Sequence, residues 1–173
     1  MVVANIGNLA NGEFMRILLA LSTSRYSVQL IESALEEAAR ANRMDVLILV
    51  LYIIEQDELN AVSQKVGDDG FLGASIQQDV LTALQETHHR MAMQRIEEVR
   101  RVAEEQNYQL EIHESTGSFS NEVIAFAEKH PCDVIYVTRD DRPFISRFLF
   151  GSEADRVARL AKKEGLGRVV IDD

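Results

Sequence analysis

Three short, nearly continuous apolar runs constrain this chain more than any other feature. Residues 15–21 (MRILLAL), 45–54 (DVLILVLYII) and 133–138 (DVIYVT) are bounded by polar residues and are too short for buried helices. Runs of that length predict strands covered on both faces. The segments between them carry helical periodicity. Val28, Ile31, Leu35, Ala38 and Ala39 recur on one helical face, with Ser24 of the hydroxyl cluster STSRYS as the expected N-cap. Residues 77–106 read as a long amphipathic helix. Its apolar side holds Val80, Leu84, Met91, Val99 and Val102, and its solvated side Arg95, Glu98, Arg101 and Glu105. Residues 108–113 alternate apolar and polar, as a strand near a sheet edge does. Ser118 or Ser120 then caps a helix with Val123, Ile124 and Ala127 inward, which ends before Pro131. A helix over 152–163 turns Ala154, Val157, Ala158 and Ala161 inward, Gly165 and Gly167 end it, and 168–171 (RVVI) form a last strand. This order, β-α-β-loop-α-β-α-β-α-β, predicts an α/β fold with a mostly parallel sheet and helices on both faces. The strand from Met15 is expected at the centre, in strand order 3-2-1-4-5.

The chain is long enough for such a core. At 173 residues and 46% apolar composition it can bury roughly two-thirds of its unfolded surface. Residues 15–173 are expected to form one domain. The fourteen residues before it (MVVANIGNLANGEF) are expected to be a flexible leader, with Met15 a candidate start. That leader has neither Lys nor Arg and no sustained apolar block, so it does not read as a secretory signal. One cysteine permits no internal disulfide and points to a reducing compartment, with the cytoplasm as the expected location. The longest apolar run, 46–54, falls well short of the ~20 residues that span a bilayer. Eighteen basic against 28 acidic residues give a net charge of −10, which argues against nucleic acid and anionic membrane as partners. The charge is uneven: residues 139–173 carry eight basic and seven acidic groups, a locally basic end on an acidic body.

In parallel α/β sheets ligands bind outside the carboxyl ends of the strands, here the ends at Leu21, Ile54 and Thr138. Few residues near them carry recognisable chemistry. His88 and His89 are adjacent and point apart, and His113, His130 and Cys132 have no metal-ligand spacing. They read as surface or partly buried polar groups, and Cys132 as a structural thiol. Within the long 55–76 loop, GDDGFLG at 67–73 lacks the spacing of a calcium loop. There is no GxGxxG, GxxxxGK[ST], GxSxG or HExxH, so no catalytic set and no metal site is expected. One constellation stands out: VTRDDRPFISRFLFGSEADRV runs from a strand through a loop into a helix opening at Gly151 and Ser152, flanked by Arg139, Arg142 and Arg147. It suits an anion at a helix N-terminus, and equally an ordinary capped helix with an exposed basic loop.

Here residues 15–173 resemble the universal stress protein family. MRILLALSTSRYS resembles its first strand and turn, TGSFSNEVIAFAEKHPCDVIYVTRD its third helix and fourth strand, and RPFISRFLFGSEADRVAR the loop and helix carrying its G-x-x-G-x9-G-[ST] nucleotide motif. The resemblance implies a five-stranded parallel sheet sandwiched by helices, of the adenine-nucleotide alpha-hydrolase-like type, commonly a homodimer. Counting back from Gly151 and Ser152 puts Thr138 and Asp141 where the motif has its first two glycines, and Ser22 stands where nucleotide-binding members end strand one with Asp. With Ile53 and Val137 these five residues outline what the resemblance implies is a vestigial nucleotide or anion site. The expected function is a non-catalytic stress-response or regulatory module acting as a dimer through protein partners. It would hold no cofactor, with weak or no ATP binding. The alternative is an adenine-nucleotide-binding stress protein with a rebuilt site and slow ATP hydrolysis. The last strand has three consecutive apolar residues at a sheet edge, a hazard unless covered, and the resemblance implies pairing with the same strand of a second copy.

Overall fold

The computed structural model describes residues 15–22, 25, 27–40, 45–55, 74–139 and 152–172. The 1–14 leader, Ser24, residues 56–73 of the long loop, and Asp141, Arg142, Arg147 and Gly151 lie outside the described residues, as do the side chains of Val28, Val80, Leu84 and His88. The chain runs β1 (Met15–Ser22), α1 (Val28–Arg40), β2 (Val46–Glu55), α2 (Ala74–Glu105), β3 (Gln109–Gly117), α3 (Phe119–Lys129), β4 (Val134–Thr138), α4 (Glu153–Glu164) and β5 (Arg168–Asp172). All strand pairings are parallel, and the order is β3-β2-β1-β4-β5 with β1 central, as expected.

Side chains alternate across a strand, so each strand supplies two cores. Ile17, Leu19 and Leu21 of β1 pack with Leu30, Ala34 and Ala38 of α1 and with Ala92, Ile96, Val99 and Ala103 of α2. Leu18 and Ala20 face the other way, against Phe119, Val123, Ile124 and Ala127 of α3 and Ala154, Val157 and Ala161 of α4. Burial of each large apolar side chain contributes about 1.5–3 kcal/mol, which is why β1 and β2 read as nearly continuous apolar runs.

Several boundaries and faces differ from the sequence reading. Ser27 precedes α1 and its Oγ accepts from the Leu30 N–H at 3.2 Å. Ala39 is exposed, and Leu30 and Ala34 take inward positions instead. β2 reaches one residue further, to Glu55, and β3 runs on to Gly117, held by backbone pairing through Glu55↔Gly117. An edge strand can extend through polar side chains because the ladder is made by the backbone. Ser118 is the N-cap position of α3, yet its side chain makes no cap hydrogen bond. The α4 helix has complementary ends: Glu153 and Asp155 in its first turn, Lys162 and Lys163 in its last, and Gly165 beyond it at φ 69°. Gly167 permits a close crossing, since a Cβ there would stand 2.3 Å from the Cys132 carbonyl oxygen.

Candidate functional site

The carboxyl ends of β1 and β2 carry two polar residues on one face. Ser22 follows Leu18 and Ala20, and Glu55 follows Leu49, Leu51 and Ile53, all on the α3/α4 side of the sheet. Register brings Ser22 opposite Ile53 and Ala20 opposite Val137. Ile53 and Val137 are buried in the apolar cluster beneath α3 and α4, and form the floor of this end.

Above that floor lies a buried polar network. The Ser22 hydroxyl donates to Glu55 Oε1 at 2.6 Å. Arg25, in the turn after β1, grips the same carboxylate with two bonds, Nε to Oε1 at 3.1 Å and Nη2 to Oε2 at 3.3 Å. Arg25 is 1% exposed and Glu55 5%. The guanidinium also lies 4.7 Å from the Phe119 ring centroid, a cation–π contact at the start of α3. Backbone bonds between Ser22 and Arg25 close the turn. Arg95 of α2 donates from Nη1 to the Ser22 carbonyl at 2.6 Å. Arg95 therefore does not sit on a solvated helix face, as its spacing suggested. Its long stem carries the charge inward to the strand-end carbonyl, which also accepts from the Arg25 N–H at 3.4 Å.

The two helix N-termini at this end are also served from within. Ser152 Oγ accepts from the Ala154 N–H at 3.2 Å, which caps α4. Glu153 Oε2 accepts from the Ser120 N–H at 3.0 Å and from the Ser118 hydroxyl at 3.4 Å, so a carboxylate of α4 caps α3. Burial opposes the Glu153 charge, but the Ser120 hydrogen bonds and the nearby Arg156 and Arg25 outweigh it and hold its carboxyl below the usual range. Arg139 donates to Asp155 at 2.9 Å. Thr138 ends β4 at 6% exposure, and among the described residues its Oγ1 has no hydrogen-bond partner.

Of the seven residues outlined from sequence, the structure thus brings Ser22, Ile53, Val137, Thr138 and Ser152 to the carboxyl end of the sheet and its helix starts, while Asp141 and Gly151 lie outside the described residues. Arg25, Glu55, Glu153 and Arg95 were missed. Strand parity could have found Glu55, since it places Glu55 on the face of Ile53.

Elsewhere, Tyr136 OH donates to Glu37 Oε2 at 2.5 Å and Arg168 Nη2 to Glu37 Oε1, in a cleft of about 460 Å³ between α1 and the β5 side of the sheet. The Arg168 and Tyr136 hydrogen bonds hold the Glu37 carboxyl below its ordinary value, and burial together with Glu37 pushes the Tyr136 hydroxyl up. The half-buried Cys132 thiol is pushed up to about 11 by burial and by Asp133, as suits an inert thiol. Among the described residues no three His, Cys, Asp or Glu are grouped to hold a metal ion, and no helix is long and apolar enough to cross a membrane.

The model of the universal stress protein family matches residues 13–164. None of the curated proteins matches the chain. Solved structures share the fold. Hypothetical protein MJ0577 is 15% identical, with 91% of this chain and 96% of that one covered and a TM-score of 0.63. Universal stress protein UspA from Lactobacillus plantarum is 18% identical, with 94% and 100% covered and a TM-score of 0.59. A universal stress protein family protein from Arabidopsis thaliana, with AMP bound, is 13% identical, with 91% and 90% covered and a TM-score of 0.50.

Proposed function

This chain belongs to the universal stress protein family, and from that premise we propose that it is a non-catalytic regulatory module of the stress response. It acts as a homodimer through protein partners in the cytoplasm, with residues 15–173 as its one domain. The observation that carries this reading is the polar network at the carboxyl end of the sheet. Two carboxylates, Glu55 and Glu153, already stand there, and Arg25 neutralises the first within hydrogen-bond distance. A phosphate arriving at the start of α3 would have to displace Glu153 from the Ser120 N–H. The displaced Glu153 carboxylate would repel it as well, by about 4 kcal/mol for unit charges ~4 Å apart at an effective dielectric of ~20. Ser22, Ile53, Val137, Thr138, Asp141, Gly151 and Ser152 are on this reading what remains of a nucleotide or anion site.

The second reading is adenine-nucleotide binding at a rebuilt site, with slow ATP hydrolysis. Two observations favour it: the Ser152-capped start of α4, and the AMP bound to the Arabidopsis thaliana relative of the same fold. Calorimetry with Mg-ATP and with AMP decides between them. The regulatory reading expects no heat of binding at micromolar protein. A micromolar Kd that Gly151→Val abolishes would overturn it in favour of the second.

A further inference from the structure

Two of the histidines that sequence spacing left scattered, His113 and His130, meet in one place. His113 lies on the edge strand β3, Phe126 on α3, and His130 is the C-cap residue of α3. The His130 ring stacks on Phe126 with centroids 4.3 Å apart and planes 14° apart. His113 meets Phe126 edge-on at 4.8 Å and His130 at 5.2 Å. The His130 N–H donates to the Phe126 carbonyl at 2.9 Å, the last hydrogen bond of the helix end. Beside the rings runs a cleft of about 240 Å³ lined by Leu51, Ser115, Glu122, Ala125 and Lys129.

We propose that His113, Phe126 and His130 form a proton-sensitive latch: neutral imidazoles hold the carboxyl end of α3 against edge strand β3, and acidification releases it. Imidazole is the side chain whose charge changes near neutral pH, and two imidazolium charges at this separation repel. Charging the partly buried His130 ring also carries a desolvation cost. The groups around it do not cancel this. Burial is the largest influence on His130 and disfavours its charge, the charge of His113 adds to that, Glu111 of β3 opposes it, and Arg16 of β1 and Lys129 of α3 add again. Glu111 lies 3.6 Å from His113 Nε2, and Glu114 of β3 is directed to His89 of α2 at 3.9 Å. Glu122 of α3 packs against Gly117. The net result holds His130 below its ordinary value of 6.5. An opened helix end binds the proton more readily than the closed one, so proton uptake and opening are coupled, and stability of the latch falls as pH drops through and below 6.5. Opening bares Phe126 and the adjoining cleft.

Hydrogen exchange and NMR titration on the full chain test the latch. Corrected for intrinsic rates, protection of the His130 amide and its α3 neighbours should fall more than that of β1 amides between about pH 7.5 and about pH 5. In the native chain His130 should titrate below its value in urea. His130→Phe keeps a ring to stack and removes the proton site, so its α3 end should stay protected at acid pH. The latch is overturned if protection falls equally throughout the molecule, if His130→Phe retains the selective loss, or if His130 titrates at or above its value in urea. Should His130→Phe fail to fold, the titration and exchange of the unaltered chain still decide.

Discussion

Arg25→Ala is the perturbation to which the site should respond most sharply. Arg25 and Glu55 are 1% and 5% exposed, and two hydrogen bonds of 3.1 and 3.3 Å join them. Truncation removes the guanidinium that neutralises Glu55 and the cation over Phe119. The Ser22 hydroxyl remains, but a neutral donor does not offset a buried unit charge. Breaking a buried ion pair from one side costs about 3–5 kcal/mol. For a chain of this size each kcal/mol lowers Tm by about 2–4 °C, so the fall should be roughly 6–20 °C. The paired replacement Arg25→Met with Glu55→Leu removes both charges and roughly keeps volume, and should cost less than Arg25→Ala although it takes the acceptor from the Ser22 hydroxyl. Urea unfolding followed by circular dichroism, with thermal melts alongside, gives the double-mutant cycle. The reasoning is refuted if Arg25→Ala costs less than about 1 kcal/mol, the level of an exposed pair, or if the paired variant is as unstable as the single one.

Three further outcomes follow from particular contacts. Gly167→Ala should cost more stability than Gly165→Ala: a Cβ at 167 meets carbonyl oxygens at 2.3 and 2.9 Å, whereas Gly165 has open space and bears only the strain of φ 69°, about 1–2 kcal/mol. Thermal melts of the two variants give the order directly. Glu153 is held below its ordinary value of 4.5, so its contribution is present above that pH and is lost as pH falls through its lower folded value. Urea midpoints of Glu153→Gln should therefore lie below the parent's near neutral pH and converge with them in acid; a constant gap would rule the charge out. Val170→Lys places a charge on the half-buried edge strand β5, and light scattering should show the parent as a dimer and the variant as a monomer, a monomeric parent refuting pairing through β5.

How much of this was legible in the sequence depends on what kind of contact makes it. β1, β2 and β4 were legible because burial on both faces confines polar residues to Arg16 and the strand ends Ser22, Glu55 and Thr138. The last four residues of β3, Glu114 to Gly117, were not, because they pair with β2 through the backbone and their side chains carry no apolar signal. Arg25 sat hidden in a run of hydroxyls, where turn chemistry was the stronger reading. Glu55 looked like the first acid of an acidic loop, yet the two-residue period from Leu49 already assigned it to the α3/α4 face. Arg95 fell on the polar side of an amphipathic helix, and its reach to the Ser22 carbonyl depends on where α2 packs. His113 and His130 belong to different elements, so only the placement of α3 beside β3 could join them.

The departures from the family motif acquire a physical sense once these contacts are combined. The resemblance puts a carboxylate at the end of strand one, and this chain has Ser22 there. A carboxylate is nevertheless present one strand over, on Glu55, and the Ser22 hydroxyl donates to it. On the proposed reading the negative charge has moved from β1 to β2 and has acquired its own cation in Arg25, whose guanidinium lies over Phe119. The same pattern recurs at the helix starts, where Glu153 of α4 accepts from Ser120 of α3. Helix N-termini attract anions whatever their origin, and a tethered carboxylate loses less freedom on docking than a free phosphate does. On the same proposed reading, substituting the motif's glycines by Thr138 and Asp141 carries little further loss, since close backbone approach has no use where the chain supplies the anions itself.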